Sequence, residues 1–462
     1  MIRIFRRYVP GSLLVLAAIE ASVLFMAVYA GLLFRWAEVT GEEVVLVRFL
    51  PEVAVYVGVV FLVMFSLGLY QKEHFQNLET TFVRIIFSFI FGFFALSVVF
   101  YAYPPLAIWR SVFAVAFVVS IVGILLARYL FLRVADLDAL KRRILVLGAG
   151  ERAAQIEALE RDSKAPSFLC VGFVPFPDEA AIVDSHRTLS ERRVLSETAR
   201  ARRVEEIVVA IADRRGHLPV DSLLASRLTG IAVTEFATFW ERETGRVDLA
   251  TLTPSWLIFS EGFVGGRLQA AIKRLFDLSS SFLLLVLSLP ILFVAAILVR
   301  VDSPGPVLYR QERVGLNGKT FMLLKFRSMR VDAEEDGVPQ WAKSGDDRVT
   351  RIGRFIRKTR IDELPQIFNV LRGDMSFIGP RPERPFFVEQ LSREIAYYNE
   401  RHRVKPGISG WAQLHYPYGA SVEDARQKFQ YDLYYIKNYS IFLDVIVLIQ
   451  TVRVILWPHG VR

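Results

Sequence analysis

Between Thr350 and Pro385 the chain concentrates residue types that handle phosphate. Five basic residues, Arg351, Arg354, Arg357, Lys358 and Arg360, crowd a short run that ends in the adjacent carboxylates Asp362 and Glu363. Gly379-Pro380-Arg381-Pro382 follows downstream. Guanidinium groups grip phosphate oxygens in pairs. A carboxylate set among arginines stays ionised well below neutral pH, so it can act as a nucleophile or as a metal ligand. A neighbouring carboxylate can hold Mg²⁺, which neutralises diphosphate charge. The competing reading is an exposed, salt-bridged helix, the ordinary fate of a lone Asp-Glu pair. Spacing alone does not overturn it.

The elements that must position these residues are legible in the apolar pattern. The chain has 462 residues, 53% hydrophobic, with 36 Phe. That excludes a disordered chain and disfavours an ordinary soluble enzyme. A single cysteine, Cys170, excludes an intramolecular disulfide and argues against a thiolate zinc site. The net charge of +9 fits basic membrane flanks, anionic substrates or anionic lipid. No nucleic-acid motif accompanies it, so nucleic acid is not an expected partner.

Four apolar runs, near 13–34, 53–70, 85–103 and 111–132, each approach the length that crosses a bilayer core. Arg3, Arg6 and Arg7 precede the first; Arg128, Arg133, Lys141, Arg142 and Arg143 lie in or after the end of the fourth; Glu38, Glu42 and Glu43 occupy the first connection. An even number of spans with basic outer ends puts both ends in the cytoplasm.

Residues 141–262 change character. Arg143–Leu147 reads as a buried strand, and Gly148-Ala149-Gly150-Glu151-Arg152-Ala153 matches G-x-G-x-x-A ahead of a helical stretch. Gly148 and Gly150 would let a backbone approach a pyrophosphate, or would simply make a tight turn in an α/β domain that binds nothing. Asp178 is the nearest candidate for a ribose-holding acid. Further on, Lys273 and Arg274 precede the apolar stretch Leu275–Val299, which contains Pro290 and is followed by Arg300. Its length suggests a fifth span. Basic residues at both ends and the proline break instead predict a bent helix that dips into one leaflet and returns. Phe442–Trp457, interrupted by Asp444, Gln450 and Arg453, reads as an amphipathic interfacial helix.

Six motifs in one order then carry a resemblance. Lys273-Arg274-Leu-Phe-Asp277, Asp302–Gly315, Lys325-Phe326-Arg327-Ser328-Met329, Arg360–Gln366, Gly379–Pro382 and Pro406–Gln413 together resemble the bacterial sugar transferase family. These are monotopic phosphoglycosyl transferases that begin polysaccharide assembly on undecaprenyl phosphate. The four spans and the Rossmann-like segment are similar to the long undecaprenyl-phosphate glucose or galactose phosphotransferases, closest to the exosortase-associated exopolysaccharide type.

The resemblance implies a bacterial inner-membrane enzyme with its catalytic domain on the cytoplasmic face. It would transfer a sugar 1-phosphate from a UDP-sugar to undecaprenyl phosphate and release UMP, with Mg²⁺ as cofactor, as a homodimer. Carried onto this chain, Asp362 would be the covalent nucleophile and Glu363 a Mg²⁺ ligand. Arg357 and Arg381 would hold phosphate oxygens, with Lys325 and Arg327 as lesser candidates. Lys273 and Arg274 would meet the lipid phosphate at the membrane surface, and Asp277 could orient them on one helix face.

The expected architecture is a mixed membrane protein. Residues 1–138 form a four-helix transmembrane bundle and 141–262 a Rossmann-like α/β domain. Residues 266–462 form an α-rich catalytic domain with a re-entrant helix over 273–300 and amphipathic interfacial helices.

Two departures from the family pattern stand out. Leu289-Pro290 replaces Ser-Pro at the helix break, with Ser288 shifted by one, and His415-Tyr416-Pro417-Tyr418 occupies a region where many members carry Gly-Arg-Asn. The rival readings are a membrane-tethered nucleotide-sugar epimerase or dehydratase, and a non-catalytic scaffold. The first usually needs a Tyr-x-x-x-Lys pair, and no tyrosine occurs between 141 and 262. The second fits poorly with an intact Asp362-Glu363 motif set.

Overall fold

The computed structural model describes residues 2–4, 7–9, 11–39, 49–67, 69–70, 78–134, 141–163, 166–176, 179–189, 195–211, 218–252, 262–263, 266–330, 348–417, 419 and 421–456. They divide into two compact units, the first ending at Glu243 and the second beginning at Thr244.

The first unit opens with four helices: α1 (Gly11–Val39), α2 (Leu50–Ser66), α3 (Leu78–Ala102) and α4 (Arg110–Val134). Their shared core includes Leu24, Val28, Tyr56, Met64, Phe89, Val112 and Ile124, and Tyr56 bonds Ser120 at 3.0 Å. Among the described residues, four helices are long and apolar enough to cross a membrane: Leu14–Arg35, Thr81–Ala102, Arg110–Phe131 and Arg267–Asp302. Helix α2 is apolar and 17 residues long, the lower end of the spanning range.

One charge expected to flank the fourth span does something else. The Arg128 guanidinium is buried inside the bundle, with Nε donating to Glu20 Oε1 at 2.5 Å and Nη1 to the Leu69 carbonyl at 3.1 Å. The Tyr70 hydroxyl donates to the same Glu20 carboxylate. A charge among apolar helices needs a partner, and Glu20 on α1 supplies it.

The α/β part of this unit is a four-stranded, wholly parallel sheet. Its strands are β1 (Arg142–Leu147), β2 (Phe168–Val174), β3 (Glu206–Val209) and β4 (Ala232–Glu235), in the order β2-β1-β3-β4. Helices α5 (Glu151–Asp162), α6 (Leu195–Ala201), α7 (Val220–Leu228) and α8 (Phe236–Thr244) connect or follow the strands. Buried clusters on the two faces, around Val146 and Phe173 and around Leu145 and Ile207, explain why the strands read as near-continuous apolar runs.

The second unit is built on the 36-residue helix α9 (Arg267–Asp302), which contains Pro290. A hairpin follows, β5 (Leu308–Val314) against β6 (Thr320–Phe326), with Tyr309 opposite Lys325. Then come α10 (Arg351–Lys358), a single 3₁₀ turn Ile361–Glu363, α11 (Gln366–Arg372) and strand β7 (Ser376–Ile378). Helix α12 (Pro385–Glu394), strand β8 (Gly407–Ser409), α13 (Trp411–His415), α14 (Val422–Lys437) and α15 (Ile441–Leu456) complete it. Strand β8 pairs in parallel with β7.

Candidate active site

Asp362 and Glu363 sit in a tight elbow between two helices. Thr350 caps α10, its hydroxyl accepting from the Gly353 N–H at 2.9 Å. Gly353 lies so close to the hairpin's exit that a Cβ there would fall 2.0 Å from the Ser328 carbonyl oxygen, so only glycine fits. The helix ends where Arg360 takes a left-handed backbone with φ of 59°, a strained conformation for a side chain of this size. The chain then turns through Ile361–Glu363, and Pro365 opens α11. Both carboxylates are buried.

Three cations converge on one oxygen. Glu363 Oε1 accepts from Arg381 Nη2 at 2.6 Å and lies 3.5 Å from Lys325 Nζ and 3.7 Å from Arg360 Nη1. Lys325 comes from β6, which Asn369 ties to α11: its amide donates to the Met322 carbonyl and its carbonyl accepts from the Leu324 N–H. Arg381 follows β7. There the backbones of β7 and β8 touch: a Cβ on Gly379 would lie 2.3 Å from the Lys405 carbonyl oxygen, and one on Gly407 2.1 Å from the Gly379 nitrogen. The Arg381 carbonyl is gripped in turn by buried Arg401, which is paired with Asp432 at 2.9 Å.

The electrostatics correct one expectation. Burial alone would raise the Glu363 carboxyl, but Arg381, Lys325 and Arg360 outweigh it and hold it far below the usual carboxylate range. Asp362 goes the other way. Burial raises it and the Glu363 charge raises it further, against the pull of Lys325, Arg360 and Arg381. Arg381 and Lys325, from outside the arginine-rich run, join Arg360 on Glu363 and hold its carboxyl down, while Asp362 is left buried beside a like-charged neighbour and is shifted up. The Asp362 Oδ1 is buried and has no hydrogen-bond partner among the described residues. Burial also lowers the Lys325 ammonium, against the opposing pull of Glu363.

The other predicted residues divide. Arg357 stands half-buried on the last turn of α10 with no ion pair among the described residues. Arg327 is buried and spent elsewhere, donating to the carbonyls of Ser303 (2.6 Å) and Pro304 (3.0 Å) and so locking the turn after α9. Lys273 is buried between Asp444 at 2.9 Å and Asp277 at 3.2 Å. Arg274 donates to the carbonyls of Val370 and Leu371, the open C-terminal end of α11. Asp277 accepts from Ser376 Oγ at 2.9 Å and the Phe377 N–H at 3.0 Å. Lys273, which also donates to the Ile378 carbonyl, and Asp277 fasten α9 to the strand that precedes Arg381, and Arg274 fastens it to α11. Ser288 donates to Leu285, whereas the carbonyl that Pro290 leaves without its helical donor is Val286, so Ser288 does not repair the break.

Gly148 and Gly150 do lie at the strand-to-helix turn, Gly148 with φ of +119° and Gly150 capping α5. Asp178 and Tyr418 lie outside the described residues. His415 is packed between Trp411 and Tyr431, a structural role. Sequence reasoning missed Arg401, Asp432 and Asn369, which act through tertiary contacts that no local spacing signals.

Comparison with known proteins follows this division. The bacterial sugar transferase family matches residues 268–458, and a CoA-binding domain family matches residues 66–217. A UDP-N-acetylgalactosamine-undecaprenyl-phosphate N-acetylgalactosaminephosphotransferase of Aeromonas hydrophila is 42% identical over 291 residues, 63% of this chain and 67% of that protein. An undecaprenyl-phosphate glucose phosphotransferase of Komagataeibacter xylinus is 35% identical over 329 residues, 68% of this chain and 59% of that protein. A UDP-glucose:undecaprenyl-phosphate glucose-1-phosphate transferase of Escherichia coli K12 is 43% identical over 183 residues, 39% of each chain.

Proposed function

The chain belongs to the bacterial sugar transferase family and is a phosphotransferase, and on that premise we propose that it moves a sugar 1-phosphate from a UDP-sugar to undecaprenyl phosphate. The observation that carries the proposal is the buried, unpartnered Asp362 Oδ1 beside a Glu363 held by Arg381, Lys325 and Arg360. Phosphoryl transfer needs positioning and charge neutralisation above all, and this elbow offers both.

In the first step Asp362 Oδ1 attacks the phosphorus that bears the sugar. The bond from that phosphorus to the bridging oxygen breaks, UMP leaves with the electron pair, and an aspartyl phosphosugar remains. In the second step a phosphate oxygen of undecaprenyl phosphate attacks the same phosphorus. The diphosphate-linked sugar departs and the Asp362 carboxylate returns. The raised affinity of Asp362 for protons suits a nucleophile, because a less stabilised carboxylate donates electrons more readily. Arg381 and Arg357 hold phosphate oxygens, and Lys325 and Arg360 add positive charge. No cluster of three or more His, Cys, Asp or Glu exists among the described residues. Two adjacent carboxylates fit Mg²⁺, which takes one or two protein oxygens and completes its shell with phosphate and water. Glu363 would hold it, and bound there it would neutralise diphosphate charge.

We further read α9 as a re-entrant helix. Two sets of contacts support this. Near its start, Lys273, Arg274 and Asp277 bond to Ile378, Val370 and Phe377. Near its end, Ala295 and Val299 pack on Phe326 and Ile356. Both ends thus dock on one compact unit, while Phe282, Leu287 and Phe293 between them are exposed and apolar. The N-terminal helices would be the membrane domain, and the parallel sheet with its order β2-β1-β3-β4 a Rossmann-like domain of doubly wound type.

The test is to incubate the purified protein with undecaprenyl phosphate, Mg²⁺ and a panel of UDP-sugars while UMP is measured. UMP release that requires both the lipid and one UDP-sugar is expected. Failure with every common UDP-sugar, or release indifferent to the lipid, would overturn the proposal.

A further inference from the structure

The glycine loop after β1 lies outside the unit that holds the proposed transferase residues, yet the backbone at its tip is engaged on both sides. Ala149 stands at the tip of the loop. Its N–H donates to Glu179 Oε2 at 3.0 Å, and its carbonyl accepts from the N–H groups of Ile182 and Val183 at 2.8 and 3.4 Å. The segment 179–183 therefore grips both polar groups of one residue.

The glycines are explained by that grip. A Cβ on Gly150 would lie 2.5 Å from Glu179 Oε1, and one on Gly148 would lie 3.3 Å from Oε2. Any side chain at 150 would force the carboxylate out. Gly150 is also the N-cap of the 12-residue helix α5, whose amino end carries partial positive charge. A carboxylate there satisfies the same donor and the same dipole that would receive a phosphate. The loop leaves the carboxyl end of β1, between β2 and β3, where the strand order reverses and a doubly wound sheet admits a nucleotide.

We propose that segment 179–183 is a built-in latch, in which the Glu179 carboxylate occupies from within the chain the seat that a nucleotide phosphate would need. While the latch is in place the loop is closed to ADP-type diphosphates. Two anions cannot share one N–H and one helix end, so a nucleotide must displace Glu179 to enter. The glycine motif on this reading admits the chain's own side chain.

The test is equilibrium dialysis of labelled ADP and labelled coenzyme A against the full-length protein in detergent, comparing wild type with Glu179→Ala and Glu179→Gln. The wild type should show no saturable binding into the millimolar range. Glu179→Ala should bind at least about tenfold more tightly, and Glu179→Gln, which keeps an acceptor oxygen for Ala149, should fall between the two. Resistance of the 141–252 region to limited proteolysis, unchanged in Glu179→Ala, would show that the fold persists. If the alanine variant does not fold, the glutamine variant decides: a gain in binding supports the latch, and no gain overturns it. Wild-type binding as tight as that of the alanine variant would also overturn it, as would the absence of any gain in a folded alanine variant.

Discussion

Asp362 carries the cost of its own reactivity. Its carboxylate is buried beside a second negative charge and one oxygen has no partner, so ionisation is harder in the folded chain than in water. The folded pKa is raised above the unfolded one. The stability linked to this group is therefore complete below the unfolded pKa and is lost as pH rises through the folded one. Asp362→Asn removes that loss. At neutral pH the variant should be more stable than wild type, with the gain fading as pH falls through the carboxyl range. The same variant should release UMP at below roughly 1% of the wild-type rate. Thermal melts at neutral and acidic pH, paired with a UMP assay, read both effects. Substantial turnover would sink the nucleophile assignment, and a neutral-pH destabilisation would sink the electrostatic one.

At the scale of elements, the re-entry proposed for α9 would set which side of the membrane the site occupies. A straight helix of this length would reach about 54 Å at 1.5 Å per residue, well beyond a bilayer core. Bent at Pro290, it can return to the face it left. Cysteines placed at Gly266 and Gly318 in a Cys170→Ser background should both be shielded from an impermeant reagent in intact cells. Labelling at Gly318 alone would mean a true span and would put the elbow on the wrong side for UDP-sugars. Lys273 and Asp277 bond this helix to the strand that precedes Arg381, and Arg274 bonds it to α11.

Over the whole molecule, the residues proposed for the transfer all fall within the second unit. Lys273, Lys325, Arg357, Asp362, Glu363 and Arg381 lie on elements of Thr244–Arg462, and the contacts that hold them come from the same unit. A truncation beginning at Gly266 should therefore retain UMP release when kept folded in detergent. A folded truncation with no activity at all would mean that the first unit supplies something to the reaction.

The sequence by itself determined whatever depends on neighbours along the chain. Apolar run lengths placed the membrane-spanning candidates, and the strand–glycine–helix order marked β1 and α5. The Asp362-Glu363 pair and its arginines were visible because their motif is contiguous. Tertiary structure decided the rest, because burial and charge act through space. Spacing made Arg128 a flank charge, but Glu20, 108 residues away, makes it a buried partner. Spacing promised a low pKa for Asp362, but Arg381 and Lys325, 18 and 38 residues from Glu363, deliver their charge to Glu363 instead. Spacing offered the glycine loop to a nucleotide, but Glu179, 30 residues downstream of Ala149, fills it. In each case the deciding partner is remote in sequence, and only folding brings the two charges within a few ångströms in a medium that does not screen them.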